Sequence, residues 1–130
     1  MTEFDLEIFQ VGEYKNISPK KANLEAGTNP IPMNQYIVIE KVFENGLEKT
    51  KSFKQQNGEM KESKFYIMKV KYKNEDVGFI INENEHKSFA SAGKAGDKIK
   101  MTHVRKSWDK KQSDGTTKTQ YYTELEFSEL

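Results

Sequence analysis

The residues of this chain with chemical potential are cations and flat rings set close together. Phe53 lies among Lys49, Lys51 and Lys54. Phe65 follows Lys64 and shares an alternating face with Lys69 and Lys71. Trp108, the only Trp, lies amid Arg105, Lys106, Lys110 and Lys111. On an extended chain Tyr122 points away from Tyr121, so one of the two is expected at the surface. An ammonium attracts phosphate, and a ring face stacks on a base. Each stacked base contributes about 1–3 kcal/mol with little dependence on sequence. Arg105 is the sole Arg. Lysine suits point contact with phosphate more than the forked reading of base edges. The expected binding residues are Lys51, Phe53, Lys54, Lys64, Phe65, Lys69, Lys71, Arg105, Lys106, Trp108, Lys110, Lys111 and Tyr122. Each has a packing alternative: Phe53 and Phe65 as core, Trp108 buried like most tryptophans, every Lys as solvated surface.

Other chemistries find little support. The chain has no Cys, which excludes disulfides, thiol nucleophiles and Cys-ligated zinc. His86 and His103 fall on different elements, and Glu83, Glu85 and His86 follow no metal-ligand spacing. They fit a helix start, where acids are favoured. "AGKAGDK" (92–98) contains Gly-Lys but fails the phosphate-loop pattern. Residues 109–115 hold too few spaced acids for a calcium loop. No enzyme activity, cofactor or metal is expected.

The net charge of +1 over 130 residues hides a division. Residues 49–73 hold eight Lys against Glu59 and Glu62, a net of +6. Residues 98–118 hold seven basic residues against Asp109 and Asp114, a net of +5. The remaining stretches are acidic. Such asymmetry can mark a binding face.

The elements that must position these blocks are strands. Tyr36 to Phe43 is β-branched and aromatic. Asn45-Gly46 is a strong hairpin turn signal, and Leu47 to Phe53 can return as a strand. The Lys64–Lys73 run alternates, with Tyr66, Met68, Val70 and Tyr72 on one face and Phe65, Ile67, Lys69 and Lys71 on the other. Val77 to Ile81 is a strand. Asn82 or Asn84 can cap a short helix through Ala92, which Gly93 stops. Lys98 to Arg105 and Tyr121 to Phe127 are strands around a polar loop, 109–118. Residues 1–34 read as an arm with one short strand at Phe4–Ile8, and 35–130 as the domain.

The order is strand, excursion, strand, strand, short helix, strand, hairpin, strand. Val77 to Met101, "VGFIINENEHKSFASAGKAGDKIKM", resembles the third strand, helix and fourth strand of OB-fold single-stranded DNA-binding proteins of the replication protein A-like class. The resemblance implies an all-β fold: a five-stranded OB-type barrel with one helix between strands 3 and 4. Such barrels bind oligonucleotides across strands 2 and 3, flanked by the 1–2 and 4–5 loops. The two basic blocks fall on those flanks.

The expected function is single-stranded DNA binding with little sequence preference, in replication, recombination or repair. RNA and homo-oligomerisation stay open. The alternative is a non-enzymatic β-barrel interaction module, such as a phage or viral accessory protein. No apolar run approaches the roughly 20 residues of a membrane helix, and Met1 to Phe9 lacks a signal-peptide pattern. A cytoplasmic location is expected. The chain stops just after its last strand, so an acidic partner-docking tail is not expected.

Overall fold

The computed structural model describes residues 2–43 and 46–130. Eight strands form among them. These are β1 (Phe9–Val11), β2 (Tyr14–Asn16), β3 (Tyr36–Lys41), β4 (Leu47–Lys54), β5 (Met60–Tyr72), β6 (Glu75–Asn82), β7 (Lys98–Lys111) and β8 (Thr117–Glu129). One helix, α1 (Glu83–Ser91), joins β6 to β7. The protein is all-β around that helix.

The strands form one sheet with neighbours in the order β1-β2-β6-β5-β3-β7-β8, and β4 pairs with β5. β3 meets β5 only at Glu40↔Lys71 and Lys41↔Val70. β4 lies along the first half of β5, from Leu47↔Ile67 to Lys54↔Met60. Among the described residues no pairing joins β6 to β8, so the sheet is open. Eight strands replace the five expected, because the excursion forms β4 and the arm adds β1 and β2.

Several boundaries move. Phe4–Ile8 is not a strand; Phe4 N–H instead donates to the Tyr36 carbonyl at 2.7 Å, and strand structure begins at Phe9. Half of the polar stretch 109–118 is strand, at its two ends, and 112–116 form a short turn in which Gly115 takes φ +87°. Thirteen residue pairs register β7 against β8, from Ile99↔Glu129 to Lys111↔Thr117, so cross-strand pairing overrides local polarity. The expected Asn45-Gly46 turn includes Asn45, which lies outside the described residues. At Gly46 an added Cβ would collide with the Met68 side chain and the Ile67 carbonyl, which fixes glycine there.

The inner face is continuous. Ile37 and Ile39 (β3), Met68 and Val70 (β5), Val77, Phe79 and Ile81 (β6), Ile99 and Met101 (β7), and Leu125 and Phe127 (β8) pack around Phe89 of α1. Each such side chain contributes about 1.5–3 kcal/mol by leaving water. Leu6, Ile17 and Ile31 of the arm are buried in the same cluster.

Two charged side chains enter this core with full partners. Lys41 continues the inward parity of Ile37 and Ile39 and is 1% exposed. Its ammonium donates to the carbonyls of Phe89 at 2.9 Å and Gly93 at 2.8 Å, at the helix C-terminus. A cation there complements the helix dipole. At the other end Asn82 caps α1 in a capping box with Glu85. The fully buried Glu85 accepts from Asn82 N–H at 2.9 Å and Leu125 N–H at 2.7 Å, and pairs with Lys20 at 2.9 Å. Ser88 Oγ meets both Phe127 N–H and its carbonyl. The helix thereby satisfies the β8 edge at Leu125 and Phe127, where an open sheet otherwise leaves it to water or to another chain.

Candidate functional site

Residues paired directly across strands share a face. On the outer face of β5 stand Phe65, Ile67, Lys69 and Lys71. Opposite them on β6 are Asn82, Ile80, Gly78 and Asp76. On β4, Lys49 faces Phe65 and Leu47 faces Ile67. Lys51 and Phe53 continue the same face of β4. The floor is apolar and open to solvent: Ile80 is 61% exposed, Leu47 57% and Ile67 40%.

The arm rises beside this floor. One depression of about 620 Å³ is lined by Phe9, Pro19, Lys20 and Lys21 of the arm together with Phe65 and Ile80. A second of about 1100 Å³ lies between Tyr14 and Lys15 on one side and Leu47, Ile67 and Lys69 on the other. Val11, Asn16 and Gly78 border both, so they are two bays of one trough. An added Cβ at Gly78 would lie 3.3 Å from Asn16 Oδ1, so this residue lets the arm approach closely. The trough continues: Ser63, Lys64 and Asn82 also border a third depression, and Asn84 links that to a fourth beside Lys106 and Tyr122.

That last depression opens at the β7–β8 ribbon, whose residues beyond the core are exposed on both faces. Lys106, Trp108, Lys110 and Tyr122 stand on one face, by the pairs Lys106↔Tyr122, Trp108↔Gln120 and Lys110↔Lys118. Arg105, Lys111 and Tyr121 stand on the other. Arg105 lies over the Tyr121 ring at 4.1 Å from its centroid. Trp108 is 50% exposed. Tyr121 and Tyr122 are both exposed, where one was expected to be.

Not every expected cation carries free charge. Glu124 at 2.5 Å and Glu126 at 2.9 Å hold the Lys106 ammonium, and these hydrogen bonds push its pKa well above the ordinary lysine range. Lys64 lies 3.6 Å from Glu48, which also accepts from Tyr66 Oη at 2.9 Å and raises the Tyr66 pKa. Lys71 stands between Glu40 and Asp76. Lys54, of opposite parity to Lys51, projects from the reverse face of β4. Lys49, Lys51, Lys69, Lys110 and Lys111 make no ion pair among the described residues.

The structure therefore brings Lys51, Phe53, Phe65, Lys69 and Lys71 to one face. It sets Lys106, Trp108, Lys110 and Tyr122 on a second, and turns Lys54, Lys64, Arg105 and Lys111 to opposite faces of their ribbons. The sequence reading missed Phe9, Lys20 and Lys21. Its one signal was the basic pair Lys20-Lys21 after Ser18-Pro19 in an acidic arm. Chemically, an apolar floor with separated ammonium groups suits flat apolar groups carried on an anionic chain. The described residues hold no group of three or more His, Asp or Glu able to ligate a metal, and no helix is long and apolar enough to cross a membrane. No protein-family model, curated protein or solved structure matches the chain.

Proposed function

We propose that this protein binds single-stranded DNA without strong sequence preference, as a non-enzymatic factor of DNA metabolism. The observation that carries this reading is the trough over β5 and β6, where half-buried Phe65 and exposed Ile67 and Ile80 lie between lysines with no acidic partner. Bases stack or pack on such a floor whatever their identity, and the phosphate chain meets Lys49, Lys51 and Lys69. The Trp108–Tyr122 face of the ribbon, reached through the linked depressions, extends the contact.

The strand connections support an OB-type reading of the core. β3, β5 and β6 follow in series, and the chain returns through α1 to lay β7 beside β3. That is the Greek-key neighbour order, and OB folds are Greek-key barrels. Their ligand face is the second and third strands, here β5 and β6.

A competing reading is a docking face for a protein, favoured by the aliphatic character of Leu47, Ile67 and Ile80. Titration of the protein with an oligo-dT strand, an oligo-dA strand and a duplex of equal length separates the two, with Trp108 emission as the readout. The DNA reading expects similar affinity for both single strands and weaker binding of the duplex. Absence of binding to either single strand would leave the protein-docking reading.

A further inference from the structure

The arm does more than pack against the core. It supplies Phe9, Val11, Pro19, Lys20 and Lys21 to the 620 Å³ bay, facing Phe65 and Ile80 across the floor. Its position is fixed from several sides. Ile17 is buried, and its N–H donates to the Gly78 carbonyl at 3.0 Å. The Pro19 carbonyl accepts from Ile31 N–H at 2.9 Å. Lys20 reaches the fully buried Glu85, which is itself held by Asn82 and Leu125. Lys20 is therefore committed to a structural pair. The next residue, Lys21, is exposed and forms no ion pair among the described residues.

Resting on the reading above, we infer that the segment Phe9–Lys21 is the second wall of the strand-binding trough and that Lys21 contacts the phosphate chain there. Charge complementarity identifies the occupant. Lys21 rims the floor on the arm side, and Lys49, opposite Phe65, rims it on the β4 side. A single strand laid between them turns its bases to Phe9, Phe65 and Ile80 and its phosphates to the rims. A duplex, with its bases paired inward, offers no flat faces to that floor.

The test uses the full chain and a fluorescent oligo-dT, with affinity followed by anisotropy over a salt series. Lys21→Ala is expected to reduce the slope of log affinity against log salt by about 0.7 and to weaken binding severalfold at low salt. Lys94→Ala, an exposed lysine on the turn after α1, is expected to leave both unchanged. In parallel, an oligonucleotide carrying 5-iodouracil is photo-crosslinked, and the expected products fall on peptides containing Phe9 and Phe65. Crosslinks at Phe65 but none on the arm, with the wild-type slope kept in Lys21→Ala, would overturn the inference and leave the trough reading standing. A wild-type protein that binds no single strand would remove both.

Discussion

The β5–β6 trough and the β7–β8 ribbon present the same residue types, lysines with aromatic rings, on very different supports. Beneath the trough lies the core, with Tyr66, Met68, Val70 and Tyr72 anchoring the reverse side of β5. The outer end of the ribbon has no such floor, and its residues are exposed on both faces. A ring on the trough is held before a ligand arrives, whereas a ring on the ribbon must be ordered by the ligand. Ordering a side chain on binding costs about 0.5–1.5 kcal/mol, so equal contacts yield less affinity on the ribbon. The regions differ in charge as well. The trough keeps Lys49, Lys51 and Lys69 without acidic partners and ties Lys20 to Glu85, while the ribbon ties Lys106 to Glu124 and Glu126 and keeps Lys110 and Lys111 unpaired among the described residues.

The largest expected effect tests what supports the trough. Glu85→Ala removes the buried acceptor of Lys20, Asn82 N–H and Leu125 N–H. It is expected to cost about 3 kcal/mol in denaturant unfolding. Trp108→Ala is expected to stay within about 0.5 kcal/mol of wild type. Equal losses from the two would abolish the distinction in support.

Next in size is the contrast between rings. Phe65→Ala is expected to weaken oligo-dT binding by about 2 kcal/mol, roughly 30-fold, and Trp108→Ala by about 1 kcal/mol, roughly fivefold. The reverse ranking in anisotropy titrations would make the ribbon the principal site. Smaller again is the contrast between cations. Lys51→Ala is expected to lower the salt slope by about 0.7. Lys106→Ala is expected to leave it nearly unchanged, because its charge is already met by two carboxylates.

The ring and cation contrasts bear on how far residue type alone could locate the site. Alternation made β5 legible: Tyr66, Met68, Val70 and Tyr72 do face inward, with Phe65, Ile67 and Lys69 outward. Asn82 and Gly93 marked the helix because capping is local chemistry. The arm was not legible, since Leu6, Ile17 and Ile31 are too widely spaced for any strand or helix period and are buried through tertiary contacts. Nothing in the sequence around Lys41 marks it as buried; the helix C-terminus packed against it explains its burial. The pairing of Lys106 with Glu124 and Glu126 depends on the β7–β8 register, which counting charges along the chain does not disclose.

The smallest expected effect concerns pH. His86 stacks on Tyr66 with ring centroids 3.7 Å apart, and burial lowers its pKa from the ordinary 6.5. Below about pH 6.5 the unfolded chain takes up a proton that folded His86 resists, so stability falls as pH drops through that window. Thermal unfolding between pH 7 and pH 5.5 is expected to show this decline in wild type and a flatter profile in His86→Phe. An equally steep profile in the variant would assign the decline to other groups.

The measurement that bears most directly on the central claim is the salt dependence of oligo-dT affinity for the wild-type protein. Four phosphate contacts, from Lys21, Lys49, Lys51 and Lys69, predict a linear fall of log affinity with log salt and a slope near −3 (about −0.7 per contact). A slope near zero, or no binding at low salt, would contradict a strand seated between the lysines of the trough.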